Sequence, residues 1–244
     1  MIEERKAFNF TVSKDSVLAL ITAFLMPPVY YANTHYGMES SAVFFIVFIL
    51  LGHLLLNTLI PAYVVLHLSG EGLSGLGITT NNLIKSIVIS IVLAAISYYQ
   101  LLIVAQEYGD VDLLPHLIFN GLLLWEVLFV YGWLQLRFEK AFGYILAPIL
   151  SALCFCLYHV GSFDSAEILP LFFSGLIFGI VFGITRNIFS LIPIAWSVSS
   201  GIGTITGGFI GGWDHVFIYS LVVVVQIFIL WKINTSSHNT TKGA

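Results

Sequence analysis

The sequence predicts an all-α fold: a polytopic transmembrane helical bundle of about eight spans. Three observations favour this class: the composition, the number of long apolar segments and the sorting of basic residues between them. Of the 244 residues, 58% are hydrophobic and only 9% are charged, whereas a soluble domain carries about 25% charged residues. So few charges cannot cover a water-facing surface, and lipid must therefore be the solvent for most of the chain.

Eight apolar segments reach the roughly 20 residues that a membrane-spanning helix needs. Pro27 and Pro28 lie in the first segment and predict a kink there. Serine and glycine residues lower the hydropathy of the seventh segment. No linker or second domain is visible, so residues 1–244 are predicted to form a single integral membrane domain. The predicted spans are residues 17–35, 42–66, 83–105, 113–135, 141–161, 166–185, 188–211 and 214–232.

The positions of Lys and Arg predict the orientation of these spans, because cytoplasmic loops of membrane proteins are enriched in both. With eight spans and a cytoplasmic N-terminus, every basic residue falls in an inside segment. Both termini are then cytoplasmic. This sorting suits a multi-pass protein of the plasma (inner) membrane of a cell. The basic residues are Arg5, Lys6, Lys14, Lys85, Arg137, Lys140, Arg186, Lys232 and Lys242.

The charge pattern also excludes some partners. The net charge of −4 is small, and the sequence has no basic stripe, zinc-finger spacing or Gly-rich phosphate loop. We therefore expect membrane lipid as a partner and no nucleic acid. Cys154 and Cys156 are two residues apart in one apolar run, so they point away from each other on a helix and are interpreted as packing residues.

One carboxylate lies deep in an apolar segment. Glu126 is more than ten residues from the nearest charge on either side, which places it roughly 16 Å from Arg137 along a helix. A charge near the centre of a bilayer costs several kcal/mol and is rarely there without a function. Glu126 is therefore predicted to be a general acid or base. The alternative is a structural carboxylic acid that is hydrogen-bonded between helices.

Three further polar residues lie in apolar segments. His159 ends the run from Ala141 to Val160, where it is either an interfacial histidine or a ligand or base that acts with Glu126. His53 and Asn57 are four residues apart in the second segment and share a helix face. They are either hydrogen-bonding groups between helices or additional members of the site.

Two short strings resemble motifs of the CPBP family of type II CAAX prenyl proteases and bacteriocin-processing or immunity proteins. The segment from Glu126 to Tyr131, followed by Gly132, is similar to the family's E-E-x-x-x-R-G, and Phe155 to His159 matches F-x-x-x-H. The Gly-rich run FFSGLIFGIVFGITRNIFSLIPIAW is similar to a later span of the family. The resemblance covers residues 70–212, with residues 113–212 as the CPBP-like core.

The resemblance implies an intramembrane endopeptidase. Glu126 would activate a water molecule, and His159 would hold this water or, together with Glu126, bind a divalent metal such as zinc. The resemblance also implies a membrane-embedded or prenylated peptide as the substrate. Hydrolysis in lipid requires a water, a base to deprotonate it and a group that stabilises the oxyanion.

The sequence departs from the family in two motifs. Val127 and Tyr131 replace the second Glu and the Arg of the first motif. Both partners of a possible ion pair are therefore absent together, and neither charge is left without a partner. The stretch PIAWSVSSGIGTI, which is equivalent to the family's H-x-x-x-N motif, contains neither His nor Asn. The string from His53 to Asn57 is itself H-x-x-x-N, and we predict that it supplies the missing pair from another helix.

Two other functions fit the same residues. A protease-like protein without proteolysis would act in bacteriocin immunity or envelope regulation, and the missing H-x-x-x-N motif favours it. A small transporter would use Glu126 as a proton relay, but the sequence shows no inverted repeat and no paired broken helices.

Overall fold

Helices make up every regular element of the part of the chain that the structure describes, which confirms the predicted all-α class. The structure is a computed structural model. It describes residues 6–37, 40–107, 112–123, 125–161, 163, 165–200 and 210–242.

Eight helices of more than six residues follow one another in these ranges, and two short 3₁₀ turns lie after α2 and α6. Six of the eight are long and apolar enough to cross a membrane; α5 and α7 are too short. The helices are α1 (Lys14–Gly37), α2 (Val43–Leu68), α3 (Leu83–Glu107), α4 (Leu114–Phe142), α5 (Leu146–Leu157), α6 (Ser165–Thr185), α7 (Ile192–Val198) and α8 (Trp213–Lys242).

Six predicted spans therefore coincide with long helices, and two differ. The predicted span 141–161 contains only the 12-residue α5, which is about 18 Å long and shorter than a hydrocarbon core of about 30 Å. It is short because Gly143, at φ +91°, ends α4 on one side and a turn at Tyr158 ends α5 on the other. The predicted span 188–211 contains α7, but residues 201–209 lie outside the described ranges. The number of spans and the orientation stay predictions.

Helix α4 is the centre of the bundle. In the most apolar stretch of α4, 59% of the residues are buried, whereas 22–39% are buried in the corresponding stretches of the other five long helices. Helices α1 and α5 pack against its second half, while α8 packs against its first half and against α2. Helix α5 also packs closely on α6, and α3 packs on α7. The residues of α4 are therefore the ones that many other helices can reach.

Helix α4 also approaches the glycine-rich face of α6. The hydroxyl of Tyr131 donates to the carbonyl oxygen of Gly175 at 3.1 Å, and Nε2 of Gln135 donates to that of Gly179 at 2.7 Å. Glycine leaves the backbone of α6 open to these side chains. Tyr131, where the family has an arginine, thus makes a hydrogen bond between helices.

Four segments that were predicted to be cytoplasmic meet at one end of the bundle. The guanidinium of Arg137 is fully buried there and forms two parallel bonds with the carboxylate of Glu71, at 2.7 and 2.9 Å. It also donates to Asp15 at 3.1 Å and to the carbonyl oxygen of Gly75 at 3.0 Å. An ion pair between Arg186 and Glu139 lies at the same end.

The N-terminal segment closes the turn between α4 and α5. Its backbone accepts from the amides of Tyr144 and Ile145 and donates to the carbonyl oxygens of Ala141 and Phe142. These groups are the unpaired ends of two consecutive helices, so the segment satisfies backbone groups that would otherwise lack partners. A side chain at Gly143 would come within 2.5 Å of the Ala7 carbonyl oxygen, which explains the glycine in this turn.

Candidate active site

Glu126 lies just after an interruption of α4. The first part of the helix ends at Leu122 with a turn at Leu123, and the residues from Trp125 to Val127 are again helical. The amide of Glu126 donates to the carbonyl oxygen of Leu123 at 3.0 Å. The Glu126 side chain is 18% exposed, whereas the residues that follow it, 127–135, are all buried. The interruption thus leaves the carboxylate partly open beside an otherwise buried helix.

His159 lies just after the end of α5, beside this carboxylate. Its Nδ1 is 2.7 Å from the carbonyl oxygen of Phe155. Because a carbonyl can only accept, Nδ1 carries the proton in this bond and a neutral ring presents the lone pair of Nε2. This Nε2 is 3.8 Å from Oε1 of Glu126. The structure therefore brings together two predicted site residues that are 33 positions apart in the chain.

Two tyrosines that the sequence analysis did not select complete the surroundings of Glu126. The hydroxyl of Tyr158 donates to Oε1 of Glu126, and Tyr30 on α1 lies beside the Tyr158 ring. The Tyr158 ring stacks on His159, with centroids 4.4 Å apart, and packs against Tyr30 at 4.8 Å. Only weak signals in the sequence could have identified these tyrosines as site residues. Tyr158 is next to His159 in the chain, and Tyr30 lies two residues after the proline pair of α1.

His53 and Asn57 are buried in α2, each with 2% exposure. The His53 ring packs on Phe48 at 4.8 Å and on Tyr219 of α8 at 5.6 Å. Nε2 of His53 and both amide atoms of Asn57 have no hydrogen-bond partner among the described residues. Within the described residues, these three side-chain atoms thus do not form the hydrogen bonds between helices that were the predicted alternative role. Their predicted role as additional site residues stays a prediction.

The residues present do not fit a catalytic metal by themselves. The described ranges contain no group of three or more His, Cys, Asp or Glu side chains that could hold a metal ion. Glu126 and His159 form a pair, whereas catalytic zinc usually takes three protein ligands. His53 therefore does not complete a metal site with this pair in the described structure.

A second H-x-x-x-N string, which the sequence analysis missed, lies on α4 ahead of Glu126. Nε2 of His116 bonds the carbonyl oxygen of Ser200 at 2.9 Å, and its Nδ1 accepts from the amide of Gly211 at 3.1 Å. Asn120 accepts from the hydroxyl of Ser199 at 2.7 Å. Both ring nitrogens of His116 are thus engaged, and this string ties α4 to the stretch where the family has its own H-x-x-x-N.

An apolar cavity of about 360 Å³ adjoins the site. Trp125 and Val127, the neighbours of Glu126 in the chain, line it, together with Ile188 and Phe189 near the predicted cytoplasmic end and Val223 of α8. The indole Nε1 of Trp125 is buried there without a partner among the described residues. The cavity can hold an apolar chain beside the segment of α4 that carries Glu126.

Comparison with known proteins gives one match. Residues 110–200 match the family described as Rce1-like, type II CAAX prenyl endopeptidase Rce1-like. No curated protein and no solved structure matches the chain. The matched segment contains Glu126 and His159 and overlaps the predicted core of residues 113–212. This match supports the resemblance of the segment to the CPBP family of membrane proteins, which includes the type II CAAX prenyl endopeptidases.

Proposed function

We propose that this protein is an intramembrane endopeptidase in which Glu126 activates the hydrolytic water and His159 holds it. One observation carries the proposal: Nε2 of His159 faces Oε1 of Glu126 at 3.8 Å. This distance is too long for a direct hydrogen bond, but a water beside the pair can bond to both atoms. Such a water would be placed between a base and a second acceptor, as hydrolysis requires.

The reaction then runs through the carboxylate. Glu126 takes a proton from the water, and the resulting hydroxide attacks the carbonyl carbon of the peptide bond. The carbonyl oxygen becomes an oxyanion, and the hydroxyl of Tyr158, which contacts Glu126, is a donor that would stabilise it. When the carbon–nitrogen bond breaks, Glu126 returns its proton to the leaving amine. His159 accepts from the water through Nε2 and so orients its attack.

The proposed substrate is a membrane-embedded or prenylated peptide. The apolar cavity beside Trp125 and Val127 supports it, because a cavity of about 360 Å³ has the apolar lining that a lipid-like chain requires. A chain in this cavity would hold the attached peptide near Glu126. The proposed location is the plasma membrane of the cell.

The experiment is cleavage of a peptide library by the purified protein in detergent, with wild type and Glu126→Gln compared. Glu167→Gln makes the same chemical change near the start of α6 and is the matched control. We expect cleavage by the wild type and the control and its loss in Glu126→Gln. A wild type that cleaves nothing, although Glu126→Gln is folded and equally stable, would refute the proposal.

The divalent metal that the resemblance implies stays a prediction, with Glu126 and His159 as its ligands. A bound metal would polarise the peptide carbonyl, but a two-ligand set does not fit, and the steps above do not use it. Repeating the cleavage assay with a chelator decides the matter. Loss of cleavage that added zinc restores would establish the metal.

A non-catalytic protein of bacteriocin immunity or envelope regulation is the second candidate. One observation favours it: the hydroxyl of Tyr158 hydrogen-bonds Glu126, as expected for a carboxyl group held for structural reasons. A Glu126→Gln variant that keeps its cellular effect while the wild type shows no cleavage would support this function.

A further inference from the structure

A buried cluster of polar side chains lies between α2 and α8, near the middle of the bundle. His53 and Asn57 come from α2, and Gln226 comes from α8; they are 2%, 2% and 1% exposed. Gln226 lies 13 residues after the start of α8, which is roughly 20 Å along the helix. Neither bulk water nor lipid headgroups can therefore reach these side chains directly.

The orientation of the Gln226 amide follows from its neighbours. Its Nε2 donates to the hydroxyl of Thr58 at 2.9 Å and to the backbone carbonyl oxygen of His53 at 3.3 Å. The Thr58 hydroxyl donates its own proton to the same His53 carbonyl oxygen, at 2.7 Å. It can therefore only accept in its bond with Gln226. Oε1 of Gln226 consequently points elsewhere and has no partner among the described residues.

Four unpartnered atoms thus belong to three neighbouring side chains: Nε2 of His53, Nδ2 and Oδ1 of Asn57, and Oε1 of Gln226. A buried polar atom without a hydrogen bond costs about 1–3 kcal/mol, so four such atoms on neighbouring side chains favour a bound polar ligand. The set combines donors and acceptors and contains no charged side chain. It therefore fits a neutral group that both donates and accepts, and internal water, which forms about three such bonds, fits best.

We propose that His53, Asn57 and Gln226 hold internal water and that this site supplies the water for hydrolysis at Glu126. Aromatic side chains connect the two places. The His53 ring packs on Tyr219 at 5.6 Å and on Phe48 at 4.8 Å. Phe48 in turn packs on Tyr30 at 5.2 Å, and Tyr30 packs on Tyr158, the hydrogen-bond partner of Glu126. The supply role rests on the proposed peptidase function, whereas the water site does not.

The site is tested by X-ray hydroxyl-radical footprinting in detergent, read by mass spectrometry. Radicals formed from bound water oxidise the side chains beside it, so His53 and Tyr219 should be labelled in the wild type. Phe182, fully buried elsewhere in the bundle, gives the background. We expect the labelling to be lost in Asn57→Leu and, independently, in Gln226→Leu. Labelling of His53 and Tyr219 at the background level in the wild type would overturn the water site.

The supply role is tested by peptide cleavage with the same variants. We expect kcat to fall about tenfold in Gln226→Leu, the effect of one lost hydrogen bond to the water path, with KM unchanged. Ser86→Ala removes another buried hydroxyl without a described partner, on α3, and should keep the wild-type kcat. An unchanged kcat in Gln226→Leu would overturn the supply role. A wild type that is labelled but cleaves nothing would refute the peptidase and leave the water site standing.

Discussion

Replacing Glu71 by glutamine should destabilise the protein strongly, because Glu71 is the main partner of a fully buried arginine. Arg137 has no exposed side-chain surface, and two of its four hydrogen bonds go to Glu71. Glutamine has the shape of glutamate but lacks its charge. Among the residues that the structure describes, the guanidinium would then have Asp15 as its one charged partner, through a single 3.1 Å contact.

The magnitude follows from the burial of the pair. Breaking a buried ion pair by removing one partner costs about 3–5 kcal/mol. Glu71 is 26% exposed and Asp15 remains, so we expect the lower end, about 3 kcal/mol. At about 2–4 °C per kcal/mol for a chain of this size, the midpoint of thermal unfolding should fall by about 6–12 °C. Circular dichroism of the purified protein in a mild detergent measures it.

Lys140→Met is the matched control. Lys140 contacts the same Oε1 of Glu71 at 2.6 Å, but its side chain is 53% exposed. Exposed pairs contribute about 0–1 kcal/mol, so the midpoint should change by less than about 4 °C. A Glu71→Gln variant that is no less stable than Lys140→Met would refute the argument that burial of Arg137 determines the effect.

The same pair predicts a dependence on pH. Burial raises the pKa of Glu71, but hydrogen bonds and charges from Arg137 and Lys140 outweigh burial and hold the pKa below its ordinary value of 4.5. The unfolded chain therefore takes up this proton at a higher pH than the folded protein does. The stabilisation is complete above about pH 4.5 and is lost as the pH falls through the folded-state pKa. The difference in midpoint between wild type and Glu71→Gln should shrink at acidic pH, and a constant difference would contradict this assignment.

Three more variants test packing and the site. Gly132→Ala would place a Cβ against the backbone carbonyl oxygen of Leu76 and should lower stability by about 1–3 kcal/mol; a wild-type unfolding midpoint would contradict this close approach. Tyr131→Phe loses only the bond to the Gly175 carbonyl and should cost about 0.5–1.5 kcal/mol, without loss of cleavage; a larger loss of cleavage than of stability would place its hydroxyl in the reaction. Tyr158→Phe removes a bond to the proposed base and should slow cleavage about tenfold, and an equal rate would exclude the hydroxyl from the reaction.

Much of the candidate site could be predicted from the sequence, because a polar residue inside a membrane-spanning segment stands out among its apolar neighbours in the chain. Glu126 lies in an apolar run, more than ten residues from any other charge, and can be recognised without a structure. The same is true of His159 at the end of the next apolar run. Glu126 and His159 were selected in this way. The H-x-x-x-N string from His116 to Asn120 is equally visible in the sequence, but it precedes Glu126 in the chain, whereas the family's string follows it, and it was missed.

Other parts of the site could not be predicted, because they depend on contacts between distant residues. Tyr30 is 96 positions from Glu126, and no local pattern marks it as a neighbour of the site. The partners of Arg137 come from the first turn of α1 and from the loop after α2, and only the packing of these elements brings them together. The short length of α5 in the predicted fifth span could not be predicted for a similar reason, since a glycine at positive φ and a turn, rather than hydropathy, set it.

The sequence by itself determined the solvent of this protein, its helical class, its family resemblance and the choice of Glu126 and His159 as candidate site residues. Hydropathy and motif spacing are local properties, and the order of residues contains them in full. Only the tertiary structure decided that Oε1 of Glu126 and Nε2 of His159 face each other at 3.8 Å, that the hydroxyl of Tyr158 bonds the carboxylate and that His53, Asn57 and Gln226 leave buried atoms without described partners. These are distances and directions between side chains on different helices, and they exist only once the helices have packed.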